Sequence, residues 1–294
     1  MELLKLRLKV PFWCSFTEYG TLKLKQTYPF PPPPTIFGMI LNAMGKPSTH
    51  NEKMSENKIK KYKEWLNEKY NKLSFSISVK DEGILVEDYR NILKGIRKRD
   101  RNRRIENKLS KLSSDMDEEE FDEIVNNLRK SDMTLNELEK KIGHQAAEIM
   151  LNFSEYINNE KWQRTQVKKQ KLLSPIFDVY LSSADKNSFS LKNIYNSLKN
   201  PERPLYLGGS DDIVDLRVEK ISSKELDKHC SSNDISSIIP GLYENCNIYK
   251  IPVQLRHQKE KSKMLCSFPQ GKLQKEIRCV SVKGEDIVFL QDFS

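Results

Sequence analysis

No stretch of this sequence approaches the roughly 20 consecutive apolar residues a helix needs to cross a bilayer. Charged residues, at 31%, nearly match the hydrophobic ones at 37%, so neither a membrane protein nor a membrane partner is expected. The opening Met1-Glu2-Leu3-Leu4-Lys5-Leu6-Arg7 alternates charge with leucine and has neither the apolar core nor the small-residue cleavage site of a secretion signal. A cytoplasmic location is the expectation. The five cysteines, Cys14, Cys230, Cys246, Cys266 and Cys279, are odd in number and contain no Cys-x-x-Cys pair, which argues against a disulfide framework or a zinc knuckle. His50, His144, His229 and His257 make no His-x-x-x-His or His-Glu-x-x-His spacing. His229-Cys230 alone sets two ligand types side by side, and it reads as ordinary loop. Gly45-Lys46-Pro47-Ser48 has a proline inside what a phosphate loop needs as Gly-Lys-Ser/Thr, and no matching upstream glycine. No metal, cofactor or nucleotide is therefore expected.

What is present is positive charge. The 294 residues carry a net +9, which favours a polyanionic partner because crowded lysines and arginines repel one another until something negative neutralises them. The length suits one large domain or two abutting ones.

Residues 3 to 10 read as a strand with Leu4, Leu6, Leu8 and Val10 on the core face and Lys5, Arg7 and Lys9 exposed. Next, Tyr28-Pro29-Phe30-Pro31-Pro32-Pro33-Pro34-Thr35 is predicted to hold a polyproline II segment. Thr35 then caps a helix that turns Ile36, Met39, Ile40 and Ala43 inward and stops at Gly45 and Pro47. Gly38 inside it costs about 1 kcal/mol relative to alanine, and close approach of another backbone would account for it. An SH3-type ligand is the other reading of the prolines, but the apolar helix that follows would bury the end of such a motif. Residues 56 to 70 form an amphipathic helix. Leu73 to Val79 and Ile84 to Tyr89 alternate as strands joined in a hairpin by Asp81-Glu82-Gly83.

Lys94 to Arg104 carries seven cations against one anion, and Lys161 to Lys171 is a second basic block without an acidic residue. Between them, residues 116 to 160 show helical spacing behind an acidic start at 115 to 123. Two cationic blocks flanking one helical insertion suggest the two sides of a hairpin. A strand at Ile176 to Leu181, a helix marked by Leu191, Ile194, Tyr195 and Leu198, a tight Gly208-Gly209-Ser210 turn and several short β-type runs complete the chain. Strand, helix, two strands, helix, strand is the order of an α+β, ferredoxin-like (RRM-like) core. The expected division is 1–210 for that core, with the hairpin and insertion at about 94–171, and 211–294 for a β-rich region.

Three segments resemble a known family. Lys9-Val10-Pro11 to Ser15-Phe16, continuing in Gln26-Thr27-Tyr28-Pro29-Phe30-Pro31-Pro32-Pro33-Pro34-Thr35-Ile36-Phe37-Gly38-Met39-Ile40, is similar to the signature of the fifth CRISPR-associated family. Thr165-Gln166 with Leu172-Leu173-Ser174-Pro175-Ile176-Phe177-Asp178-Val179-Tyr180-Leu181 resembles a second family segment. Asn200-Pro201 with Pro204-Leu205-Tyr206-Leu207-Gly208-Gly209-Ser210-Asp211 resembles a third. The spacing is most similar to the type I-B branch. Family members belong to the repeat-associated RNA-binding superfamily and cap the guide RNA in Cascade. The resemblance implies a ferredoxin-like core with a basic thumb and a grip on the 5′ handle of the crRNA. It also implies contacts to the backbone and large subunits, and through them to target DNA. At Thr17 and Gly209 the chain lacks the cation and the polar or basic side chain the family often carries.

Single-stranded RNA is held by cations on phosphates, flat rings on splayed bases and amides on base edges. For phosphates the candidates are Arg97, Arg99, Arg101, Arg103 and Arg104, opposed by Arg164, Lys168 and Lys169, since the planar guanidinium suits phosphate. Phe16, Tyr28 and Trp162 are candidates for stacking, and each also fits a core. Gly208, Gly209 and Ser210 offer amides to a phosphate or make a plain turn. Ser15, Thr35, Gly38 and Gln166 complete the RNA-contact set from the family-like segments. No catalytic residue is expected. The alternative is a metal-independent endoribonuclease that cuts the repeat RNA, which needs a general base and a cation near a ribose 2′-hydroxyl. Lys228-His229 lies outside the segments that would supply it.

Overall fold

The computed structural model of the chain describes residues 2–17, 24–47, 55–95, 162–255 and 263–291, with backbone alone for 56, 90–95, 162–165 and 228–229. The chain forms two compact units, Met1–Asp88 with Lys168–Ser294, and Tyr89–Val167. Of the second, the description covers only its two ends.

The first unit is organised around β1 (Leu3–Lys9), whose period-two leucines set one face inward. It lies antiparallel between β7 (Ile176–Ser183) and β8 (Asp215–Ile221), and β4 (Leu73–Asp81) pairs with the far side of β7. The resulting sheet has the order β4-β7-β1-β8. Leu4, Leu6 and Leu8 share a buried core with Phe75, Ile77, Phe177, Val179 and Leu181 of the neighbouring strands. Three helices close that core: α1 (Pro33–Ala43) through Ile36, Phe37 and Ile40, α2 (Glu56–Tyr70) through Leu66 and Tyr70, and α3 (Leu191–Lys199) through Ile194 and Leu198. Each such side chain contributes about 1.5–3 kcal/mol by leaving water. No helix among the described residues is long and apolar enough to cross a membrane.

Several expectations are corrected. The helix expected to begin after Thr35 begins at Pro33, with Pro32 as its extended N-cap. Proline fits the first helical turn because the amide it lacks has no partner there anyway, and Thr35 already donates its N–H to the Pro32 carbonyl at 2.9 Å. Gly38 is exposed, and a Cβ there would meet nothing within 4 Å, so no backbone among the described residues approaches it. Strand β5 (Ile84–Gly95) makes no hairpin with β4. It pairs with β6 (Trp162–Leu173), while Phe75 and Ile77 draw β4 into the main sheet. Gly83 makes the break between them. At φ +68 its Cα sits against the Leu173 carbonyl, which a Cβ would approach to 2.2 Å. The exposed basic row of β1 is largely neutralised: Arg7 grips the buried Asp178 with two 2.8 Å hydrogen bonds and Lys5 lies 3.0 Å from it.

The region beyond 210 falls in the first compact unit. β8 is an edge strand of the main sheet. β13 (Ile277–Val282) pairs with β9 (Leu226–Ser232) and β14 (Glu285–Ile287), and this layer places Val280, Val282 and Ile287 on Leu3, Tyr180 and Ile221 of the sheet's second face. β12 (Lys263–Pro269) pairs with β10 (Ile239–Pro240) and β11 (Cys246–Pro252). From this last sheet Tyr249 and Phe268 meet Phe30 edge-on, at 5.5 and 6.2 Å between ring centroids. Cys230 and Cys279, opposed on β9 and β13, form a disulfide, a single link rather than the framework the sequence argues against. A strand register that the scattered spacing does not reveal brings them together.

Candidate nucleic-acid interface

Strand β6 carries the second basic block and is the hub of a small sheet. It pairs antiparallel with β2 (Trp13–Cys14) in the register Trp13↔Leu173 and Cys14↔Leu172, and parallel with β3 (Leu24–Lys25) in the register Leu24↔Lys168 and Lys25↔Lys169. Cys14 and Leu172 point into the core. The period of two therefore sets Trp13, Lys171 and Lys169 on the opposite face. There the Lys171 ammonium lies 4.6 Å from the centroid of the Trp13 ring.

Lys168 and Lys171 of β6 already have carboxylate partners. Lys168 pairs with Glu87, and Lys171 with Asp88 at 2.7 Å. The hydrogen bond from Lys168 holds the Glu87 carboxyl below its ordinary value. A phosphate reaching Lys168 must compete with that pair. Gln166 is exposed on the same strand, and Arg164 and Trp162 belong to it by backbone. Arg97, Arg99, Arg101, Arg103 and Arg104, with the acidic insertion, lie outside the described residues. So do His50, His144 and His257, while His229 is described by backbone alone.

Among the family-like segments, the structure separates contact from support. Phe16, 3% exposed, packs edge-on against Phe177, and Tyr28, 5% exposed, donates its hydroxyl to the Lys250 carbonyl at 2.9 Å. Neither ring is open to a base. The Gly208-Gly209-Ser210 turn is committed as well. Gly209 donates its N–H to Asp212 Oδ2 at 2.8 Å, and the same oxygen accepts the N–H of buried Ser15 at 3.3 Å. At φ +108, Gly208 leaves room for no side chain, because a Cβ would come within 3.0 Å of both Asp212 Oδ2 and the Ser15 carbonyl. One buried carboxylate thus ties the first family-like segment to the third, and the turn's Gly209 amide is spent on it rather than on a phosphate. The first segment is tied to the second where Val10 donates its N–H to the Pro175 carbonyl at 3.1 Å. Thr35 is half-buried in the first turn of α1, Gly38 is exposed on it, and Ser210 is exposed with its hydroxyl on Asp211.

Sequence reasoning missed the residues this arrangement presents. Phe12 is 60% and Trp13 40% exposed, with ring centroids 6.3 Å apart and planes tilted by 54°. The available signal was Pro11, which ends the alternation of β1 and leaves two large aromatics in the break. For metals, the grouping found among the described residues is Cys230, Cys279 and Asp286, with ligand atoms within 4.8 Å of one another. Its two sulfurs are bonded to each other and offer no thiolate.

Residues 3–118, short of half the chain, match the family model described as CRISPR-associated protein (Cas_Cas5). No curated protein matches the chain. Among solved structures it is similar to one described as a CRISPR RNA-guided surveillance complex (TM-score 0.42, 13% identity, covering 92% of this chain and 90% of that one). It is also similar to a CRISPR protein from Archaeoglobus fulgidus (TM-score 0.41, 11% identity, 98% of each chain). A third is a type III-B Cmr-beta complex bound to cognate target RNA (TM-score 0.37, 11% identity, 92% of this chain and 85% of that one).

Proposed function

We propose that this chain is a non-catalytic crRNA-binding subunit of a type I, I-B-like, CRISPR Cascade, acting in the cytoplasm. In that role it caps the 5′ handle of the guide, bridges the backbone and large subunits, and meets target DNA only through them. The observation that carries the reading is the family match over residues 3–118, a span that contains β1, the proline run and α1. The main sheet supports it. Taken in chain order, β1, β4, β7 and β8 are four antiparallel strands arranged second, third, first, fourth, with helices between the first pair and between the last pair. That order supports reading the sheet as a split βαβ, ferredoxin-like core. The acid-free basic block of β6 supports a polyanionic ligand.

The test is to purify the assembly through a tag on this chain, sequence the RNA it holds and map crosslinks. Crosslinks from this chain to the 5′ end of a repeat-derived guide are expected. A preparation without RNA, or with this chain crosslinked only far from that end, overturns the proposal. Binding without cleavage is the second element. Repeat RNA incubated with the chain in chelator stays whole on this reading, and a cut at one position would establish the endoribonuclease instead.

A further inference from the structure

We infer that Phe12 and Trp13 form a stacking platform for unpaired bases of single-stranded RNA at the Leu173 end of β6, an inference that rests on the RNA-binding function proposed above. Isolated exposed apolar residues are commonplace on protein surfaces. Two adjacent large aromatics, one of them held by a cation, are a more specific feature. The 54° tilt between the rings means that they do not cover one another, so each has surface left for a separate base. Lys171 is not the phosphate ligand here. Its side chain is only 9% exposed and its ammonium is shared between Asp88 and the Trp13 ring. It acts as a positioning residue that fixes the plane of the indole before anything binds.

Charge decides between nucleic acid and protein as the occupant. Protein-docking patches are depleted of charge at their centre, lysine in particular, whereas Lys171, although paired with Asp88, lies on the Trp13 ring itself. Lys169 shares the face of Trp13 by strand period. Stacked bases beside a cationic strand are how single strands are held without sequence preference. Ile84 and Leu85, exposed at the start of β5, are the aliphatic counter-argument, and the experiment therefore includes a protein arm.

The measurement is titration of the full chain with a short labelled single-stranded RNA over a series of salt concentrations, with urea midpoints to confirm that each variant folds. Phe12→Ala and Trp13→Ala are each expected to weaken binding by about 5- to 150-fold while leaving the salt slope unchanged, because no phosphate contact is lost. Trp13→Tyr keeps most of the affinity and Trp13→Leu does not. The same oligonucleotide carrying abasic nucleotides binds wild type more weakly and is indifferent to Trp13→Ala. Unchanged affinity in both alanine variants, with wild type still bound in a salt-dependent way, overturns the platform and leaves RNA binding standing. Absence of RNA binding by wild type overturns both. Full affinity in Trp13→Leu, or self-association in sedimentation that Trp13→Ala abolishes, reassigns the patch to protein docking.

Discussion

The carboxylate of Asp178 is fully buried on β7, where two strand neighbours, Arg7 and Lys5, reach it from β1. Burial alone would raise its pKa, but the hydrogen bonds and charges of Arg7 and Lys5 outweigh that and hold it below the ordinary 3.8. The stabilisation it contributes is therefore present above the ordinary aspartate value and is lost as pH falls below that value through the depressed one. Asp178→Asn is expected to cost about 3 kcal/mol at neutral pH, the low end for a broken buried pair because Arg7 is half exposed and can turn to water. The cost should shrink on acidification, read as converging urea midpoints of variant and wild type. A gap that stayed constant down to acid pH would show that the pair contributes nothing through its charge. Gly38 gives the opposite sign. Exposed in the middle of α1 with open space around it, it should accept alanine with a gain of about 0.5–1 kcal/mol in thermal or urea unfolding. A variant that is more stable but binds RNA or enters its assembly poorly would place the glycine against a partner rather than against its own chain. Single residues were the least readable level of the sequence. A buried Phe16 and an exposed Trp13 look alike until the register of β2 against β6 is known, and the partnership of Asp212 with Gly209 and Ser15 joins positions almost two hundred residues apart, Ser15–Asp212 being 197.

At the scale of elements the sequence speaks more clearly, because periodicity is a local property. β1, α2, β7 and α3 lie where leucine alternation or helical spacing places them. The elements misread were those whose partners are distant: the expected β4–β5 hairpin gave way to two long-range pairings, and a turn signal alone does not specify a ladder. Pairing of β5 with β6 has a functional consequence, since it sets Glu87 against Lys168 across the strands. Glu87→Gln removes the carboxylate while preserving much of its shape. Exposed pairs of this kind contribute about 0–1 kcal/mol to stability, so folding should barely change. RNA affinity should rise at low salt, and the slope of log affinity against log salt should steepen by about 0.7 if Lys168 gains one phosphate. Identical titrations for variant and wild type would remove Lys168 from the interface.

For the whole molecule, the central question is whether the basic, insertion-bearing unit is needed for the fold. The buried cores of the first unit draw on residues up to Ile77 and from Leu172 onward, with none of their described members between. β5 and β6 are paired strands, so the chain leaves and re-enters on neighbouring tracks, and a short connection between Gly95 and Trp162 closes at modest entropic cost because closure entropy grows only slowly with length. Replacing residues 96–161 by a short glycine-serine linker is therefore expected to leave a cooperatively unfolding protein with a urea midpoint close to that of the full chain. The same excision removes the arginine-rich block 97–104, and RNA binding should lose both affinity and salt dependence, by about 0.7 in slope for each phosphate contact given up. What binding survives should still respond to Trp13→Ala, because that ring belongs to the unit that remains. If the shortened chain instead unfolded without cooperativity, the second unit would be part of the folding nucleus rather than an appended grip, and charge and fold could not be assigned to separate parts of the chain.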